Sequence, residues 1–578
     1  MSLRLFACLC LLLPPLASVA AAAEAPEAIY HHGKIVTVDD KFSLAEALAV
    51  GQGRVLAVGR NDDVLKLKGD GTRLVDLAGR TVIPGLMDSH SHATGAAMTE
   101  FDHPIPVMET IADVLAYIKA RAAAVEPGDW IVLRQVFITR LKEQRYPTKA
   151  ELDATAPHNP VVFSTGPDAS VSSLALKLSG IDKDFQPTGS GKIERDPATG
   201  EPTGILRSAS RYLKTKAKSR SASEAQRDER LGQLIADYNS VGITGICDRD
   251  ASPGAIAQYV RLRAADALNV RVAISHGVSN SGPAEDIAQK IREIAAHPLH
   301  IKGDDRLRII GVKTYLDGGM LTGSAYLREP WGLSKIYSID DPRYRGLLYI
   351  EPELLAAMVR AAVESGLQFT AHSVGDGAVH ALLDAYEEVN ETTPVAPTRP
   401  CITHSNFMSR EAIDQAKRLG VMVDIQPAWL YLDAHTLAAQ FGYERLRYFQ
   451  PLASLFAAGV TAGGGSDHMQ KIGSLRSVNP YNPFLGMWTA ITRKSKYYAR
   501  PLHPEEALSR EQALRFYTIN NARIMFLDHV VGSLEIGKQA DFVVLDRDLL
   551  TCPVDDLRDT QALQTFLAGK LVYERKAP

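Results

Sequence analysis

The sequence predicts an α/β protein: a TIM-like (β/α)8 barrel with a long insertion after its first strand, plus a small discontinuous β-sandwich built from both ends of the chain. Three observations predict it. Strand-like apolar runs alternate with amphipathic helical stretches through the middle of the chain, the pattern of a parallel sheet. Eight such runs can be counted, the number that closes a barrel. Short β-like segments with Gly-centred turns crowd the two ends.

Taken in order, Arg4 precedes an apolar run over 5–16 and small residues through Ala23, the layout of a signal peptide at 1–23 and too short to span a bilayer comfortably. A periplasmic or secreted product is expected. Segments 28–38, 45–58 and 73–77 supply strands of the first sandwich part, 24–80. The barrel is placed at 81–525, with strands at 81–88, 243–248, 270–275, 309–316, 368–372, 401–404, 421–426 and 461–467. Between the fifth and sixth, Ala378, Leu382, Leu383, Tyr386 and Val389 share one helical face, as a helix packed on a barrel requires. The insertion, about 96–240, contains helical pieces (110–124, 223–238), a strand (160–164) and a turn-rich stretch (189–204). The second sandwich part is 526–578.

A chain of 578 residues accommodates one large and one small domain. A net charge of −3 without any long Lys/Arg block leaves no footprint for nucleic acid or anionic membrane. A small-molecule partner is expected, with no stable membrane insertion after signal removal, and a homo-oligomer stays open. Beyond residue 23 the cysteines are Cys247, Cys401 and Cys552, odd in number and far apart, which implies no disulfide framework.

His90 and His92 close the first barrel run as Ser89-His90-Ser91-His92. Residues i and i+2 of a strand share a face, so the two imidazoles can converge on one ion. Three later runs end in another candidate ligand: His372, His404 and Asp467. C-terminal strand ends form the active-site face of such a barrel. Imidazole and carboxylate suit zinc and similar divalent ions, with a position left for water. Lys313 alternates onto the face of Tyr315 and Asp317, inside the barrel. A buried ammonium is costly unless paired or chemically changed. It either bridges to Asp317 or another carboxylate, or reacts with carbon dioxide to give a carbamate able to bridge two metals.

The runs Pro84-Gly85-Leu86-Met87-Asp88-Ser89-His90-Ser91-His92, Gly191-Lys192-Ile193 with Pro202-Thr203-Gly204-Ile205-Leu206, Gly242-Ile243-Thr244, Val312-Lys313 through Asp317-Gly318, His372 with Gly375-Asp376, His404, Gly465-Ser466-Asp467 and Gly537-Lys538-Gln539-Ala540-Asp541-Phe542 resemble the amidohydrolase superfamily. Specifically, they resemble its N-substituted-formamide-deformylase-like branch, amidohydrolase type 3, over nearly all of the chain beyond the signal. The resemblance implies two divalent ions, Zn2+, held by His90, His92, His372, His404 and Asp467 with carboxylated Lys313 as bridge. It implies hydrolysis of a carbon–nitrogen bond other than a peptide bond: an amide, N-formyl or N-acyl group of a small molecule. Two cations about 3.5–4 Å apart would lower the pKa of a shared hydroxide. Asp467 would pass its proton to the leaving nitrogen.

Four departures stand out. Gly166-Pro167-Asp168 occurs where relatives usually carry Gly-His followed by Asn, Thr403 replaces a usual Glu, Arg207 stands where an acid is common, and His468 follows Asp467. None touches an expected ligand, so substrate contacts are where this chain should differ. Asp168, Trp331 and Trp429 are the candidates, the tryptophans because they follow the fourth and seventh strands. Two rival readings are a mononuclear deaminase or cyclic-amide hydrolase, and a non-catalytic secreted binding or regulatory protein on a hydrolase fold. The complete ligand set argues against the latter.

Overall fold

The computed structural model describes residues 25–576 apart from 135, 167, 189–190 and 217–220, so the expected signal peptide and Pro167 lie outside the described residues. Eight parallel strands form one sheet in sequence order: β1 (Leu86–Ser91), β2 (Ile243–Ala251), β3 (Arg271–Gly277), β4 (Leu307–Tyr315), β5 (Gln368–Ser373), β6 (Cys401–His404), β7 (Met422–Ile425) and β8 (Ala462–Gly464). The last strand returns to the first. The Asp467 amide donates to His90 O (2.8 Å) and the His92 amide to His468 O (2.8 Å). Gly465 permits this seam, since a Cβ there would lie 2.9 Å from both the Cβ and the amide nitrogen of His90.

The run expected as one strand over 81–88 is two. Thr81–Pro84 pairs with Lys34–Val36 and Phe542–Leu545 in a six-stranded sheet, and only Leu86–Ser91 enters the barrel. The break falls at Gly85, where a Cβ would lie 2.2 Å from Thr244 Oγ1. The six-stranded sheet holds strands from both chain ends. Its Phe542 and Phe566 stack at 4.2 Å and take the edge of Tyr30, which belongs to a four-stranded sheet of Ala28–His31, Ala47–Gly51, Arg54–Gly59 and Arg73–Asp76. Arg271, at the start of β3, donates twice to Asp541 (2.7 and 2.8 Å), with both side chains buried. The backbone carbonyl of Asp541 accepts the Gly85 amide (2.9 Å), so one C-terminal residue grips two barrel strands.

Two differences from expectation concern the segment between β1 and β2. The helix Glu224–Ser240, capped reciprocally by Ser223 and Gln226, packs Leu231, Leu234, Ile235 and Tyr238 into the barrel's own core. The turn-rich stretch contains two antiparallel strands, Lys192–Arg195 and Pro202–Arg207; alternate burial of Pro202, Gly204 and Leu206 was masked by glycine and proline. These strands extend a five-stranded sheet with Ala169–Val171, Val161–Ser164 and Ile131–Arg134.

Candidate metal centre

Alternation along β2 places Ile246 and Asp248 towards the surrounding helices, and Cys247 and Arg249 inside. Arg249 is fully buried, its Nη1 donating to Ser275 Oγ and Gln368 Oε1 (both 2.8 Å) and its Nη2 lying 3.1 Å from the equally buried Asp424 of β7. Asp424 also accepts from Thr403 Oγ1 (3.1 Å) and from Gln426 Nε2 (2.8 Å). This polar layer orients the imidazoles. Asp424 Oδ1 lies 3.2 Å from His90 Nδ1; a carboxylate only accepts, so the ring donates there and keeps its Nε2 lone pair free. Gln426, with its amide nitrogen committed to Asp424, offers Oε1 to His404 Nδ1 (2.7 Å), which fixes the same tautomer on His404.

At the strand ends, His90 Nε2, His92 Nε2 and Asp467 Oδ1 form a triangle with sides of 3.3, 3.4 and 3.3 Å. A tetrahedral ion about 2.0–2.1 Å from each ligand needs ligand–ligand edges of about 3.3 Å. The triangle fits. Two of its corners, His90 Nε2 and the carboxylate oxygen, are acceptors facing one another, an approach that a cation or a proton must bridge. Asp88 steadies this corner by accepting from the His90 amide (2.9 Å), the Ser466 amide (3.0 Å) and Ser466 Oγ (2.6 Å).

His404 stacks between His90 (4.9 Å) and Trp429 (4.8 Å), and His372 meets it edge-on at 4.5 Å. Both His404 and Asp467 hold left-handed backbones, φ 79° and 54°, the kind of local strain that collects at functional sites. Lys313 is 1% exposed and has its ammonium 4.6 Å over the Tyr315 ring. Of the two alternatives for Lys313, the bridge to Asp317 does not form. Asp317 instead accepts three backbone amides, from Tyr326, Val374 and Gly375, each at 2.9 Å, and so shapes the turn after β5.

Burial sets most of the ionisation. It drives His90 and His404 well below the usual imidazole value and His372 down to about 3, with the Lys313 charge adding to each, so all three rings are neutral at pH 7. Burial also lowers Lys313 and raises Asp467. For His92, burial is outweighed by its hydrogen bond to Asp467, and its pKa rises. Both members of the His92–Asp467 pair are thus shifted upward.

A cavity of about 810 Å³ opens over these groups, walled by Phe137, Tyr315, Tyr349, Met320, Trp429 and Asn479. Trp429 is thus among the residues lining this cavity. Trp331 is not: it is 1% exposed, donates its indole N–H to Ala325 O (2.8 Å) and packs against Tyr337 and Phe441. Asp168 lies behind the wall, its carboxylate taken by Arg207 Nη1 (3.3 Å) and the Ser208 amide (2.7 Å). Two departures from the family pattern, Asp168 and Arg207, are therefore partners. His468 is structural, accepting from the Tyr238 hydroxyl (2.7 Å) and donating to the carbonyls of Gln470 and Lys471. Sequence reading missed Arg249, Asp424 and Gln426; the signal was a charged residue inside the apolar run Val421-Met422-Val423-Asp424-Ile425.

A parallel barrel with imidazoles and carboxylate gathered at its C-terminal mouth defines a metal-dependent barrel hydrolase. The chain belongs to the amidohydrolase family, whose model, Amidohydro_3, matches residues 73–573. It is 30% identical to an N-substituted formamide deformylase of Arthrobacter pascens over 94% of this chain and 98% of that protein. It is also 28% identical to protein LONG AFTER FAR-RED 3 of Arabidopsis thaliana, over 94% of this chain and 91% of the other. Among solved structures, a metal-dependent hydrolase from Pyrococcus furiosus shares the fold with a TM-score of 0.64 at 22% identity, over 91% of this chain and all of that one. The protein is an enzyme acting on carbon–nitrogen bonds other than peptide bonds.

Proposed function

We propose that the enzyme hydrolyses an amide, N-formyl or N-acyl bond of a small molecule at a two-ion centre. In this reading His90, His92 and Asp467 hold one ion, His372 and His404 the other, and a Lys313 carbamate lies between them. The observation that carries it is the 3.3–3.4 Å triangle of His90, His92 and Asp467. Divalent ions bound there, Zn2+ by donor chemistry, would supply an activated water and polarise the scissile carbonyl. The chain's own groups do the rest. Asp467 would accept a proton from the attacking water and deliver it to the leaving nitrogen. The cavity volume is that of a small-ligand pocket, and its aromatic walls exclude water from the reacting bond.

Burial favours the uncharged amine of Lys313, the form that adds to carbon dioxide; loss of one proton then leaves the carbamate. The change replaces a positive charge that depresses the neighbouring imidazoles by a negative one that suits them. Export of the chain, with residues 1–23 removed, belongs to the same proposal and rests on Arg4 and the apolar run after it.

A single-ion site is the second reading, favoured because the compact buried donor group comprises only His90, His92 and Asp467 among the described residues. Metal analysis of purified protein, coupled to assays with N-formyl and N-acyl amines, lactams and aminated heterocycles, separates the readings. Two ions and amine release support the proposal; one ion with ammonia release selects the deaminase, and no turnover with any class removes both.

A further inference from the structure

We propose that His31, His32 and Asp76 form a second divalent-metal site, on the four-stranded sheet outside the barrel. Consecutive residues of a strand normally point to opposite faces. His32 departs from this by leaving the strand Ala28–His31 with a left-handed backbone, φ 53°, which turns its ring back onto that of His31. The two rings meet at 4.4 Å, with their Nδ1 atoms 3.1 Å apart. This conformation is unfavourable for a residue with a Cβ. It is held by the His32 amide donating to Asn61 Oδ1 (2.9 Å) and the Gly79 amide donating to His32 O (2.7 Å).

The third donor arrives by register. Asp76 is the pairing partner of His31 on the neighbouring parallel strand Arg73–Asp76. Its Oδ1 accepts the Ala78 amide (2.8 Å), which leaves Oδ2 3.4 Å from His32 Nδ1. All three donor atoms lie within 4.8 Å of one another. The 3.1 and 3.4 Å separations bracket the edge of about 3.3 Å that a tetrahedral ion requires. A solvent-exposed His–Asp pair alone contributes little, and the contact between the two Nδ1 atoms can be made by a hydrogen bond in the free protein or by a shared ion in the loaded one.

Two imidazoles and one carboxylate suit Zn2+, Cu2+ or Ni2+ over Mg2+ or Ca2+. The side chains of His32 and Asp76 are 56% and 59% exposed, so water completes the coordination and the ion exchanges freely. Such an ion would clamp the ends of two adjacent strands. The proposal is independent of the barrel chemistry.

The test uses the full chain without a histidine tag. Equilibrium dialysis against Zn2+ compares it with His32→Asn, which tolerates the left-handed backbone, and with Asp76→Asn. The expected result is a loss of about one ion per chain in either variant, with catalytic rate unchanged. With added Cu2+, the parent should show, besides any signal of the barrel centre, a two-nitrogen electron paramagnetic resonance component that His32→Asn lacks and Asp76→Asn weakens or alters. The same difference should persist when all proteins also carry Asp467→Asn. Equal zinc stoichiometry and identical copper spectra in parent and variants would overturn the site.

Discussion

The two halves of the barrel mouth are built differently. On the side of β1, β7 and β8, every donor rests on something rigid: His90 on Asp424, Asp424 on Arg249, and the Ser466 turn on Asp88. On the side of β4 and β5, Lys313 lies over the face of Tyr315 with no hydrogen bond or ion pair of its side chain among the described residues, and His372 lies 3.4 Å from Gly318 O and 3.8 Å from Asp317, whose oxygens are already occupied by amides. One half is preorganised by protein alone. The other is left with a buried lysine side chain that has no ion-pair partner among the described residues, a state that becomes favourable once the group is chemically altered or compensated. Under the proposed two-ion assignment, the first half would bind its ion on folding and the second would be assembled afterwards.

The largest expected effect is Asp467→Asn, which removes both a donor and the proton carrier: turnover should fall about 10²- to 10⁴-fold, measured at saturating substrate. Retention of full turnover would break the assignment of Asp467 and with it the first half. Next is Lys313→Ala, which should lower metal content by about one ion per chain while leaving the His90 half loaded. Acetate or propionate should restore part of the activity if a carbamate is what is missing; rescue by amines instead would point to an ammonium role.

Asp424→Asn tests the bracing itself. Metal affinity at the first ion should drop about 10- to 100-fold, read by competition with a chelator, and by less at the second, where Asp424 acts on His404 only through Gln426. Equal losses at both would erase the difference between the halves.

The smallest effect concerns pH. Burial lifts the Asp248 carboxyl, bonded to the Tyr259 hydroxyl, to about 6. Because the folded value lies above the unfolded value of about 3.9, its contribution to stability is complete below pH 4 and is lost as pH rises through 6. Asp248→Asn does not titrate, so its stability relative to the parent should climb on the order of 2 kcal/mol between pH 4 and 7 in paired denaturant titrations. A flat difference would mean that the carboxyl ionises normally despite its burial.

How much of this was legible beforehand follows from how each contact is made. His90, His92, His372, His404 and Asp467 end apolar runs, and a barrel brings strand ends together whatever lies between them. Arg249 and Asp424 were not legible as a pair, because which interior residues meet across a barrel depends on strand tilt and on register shifts such as those in the pairing of β1 with β2. Trp331 and Trp429 looked alike in sequence, each shortly after a strand. Trp429 sits at the start of the helix Pro427–Phe441, directly after β7, and is carried onto His404; Trp331 lies further along an irregular loop that folds away. The division at Gly85 escaped notice because strand-forming residues continue on both sides of it.

The grip of Asp541 on Arg271 and Gly85 also sets a timetable for synthesis. A ribosome producing this chain completes all eight barrel strands before residue 541 exists. Until then the strand carrying His90 and His92 lacks its N-terminal anchor, and a charged Arg271 waits at the foot of β3 without its partner. The nascent barrel is thereby held short of completion. A frameshift or proteolytic cut near the C-terminus, far from any catalytic group in the sequence, would leave a molecule with every donor present and no settled place to put them.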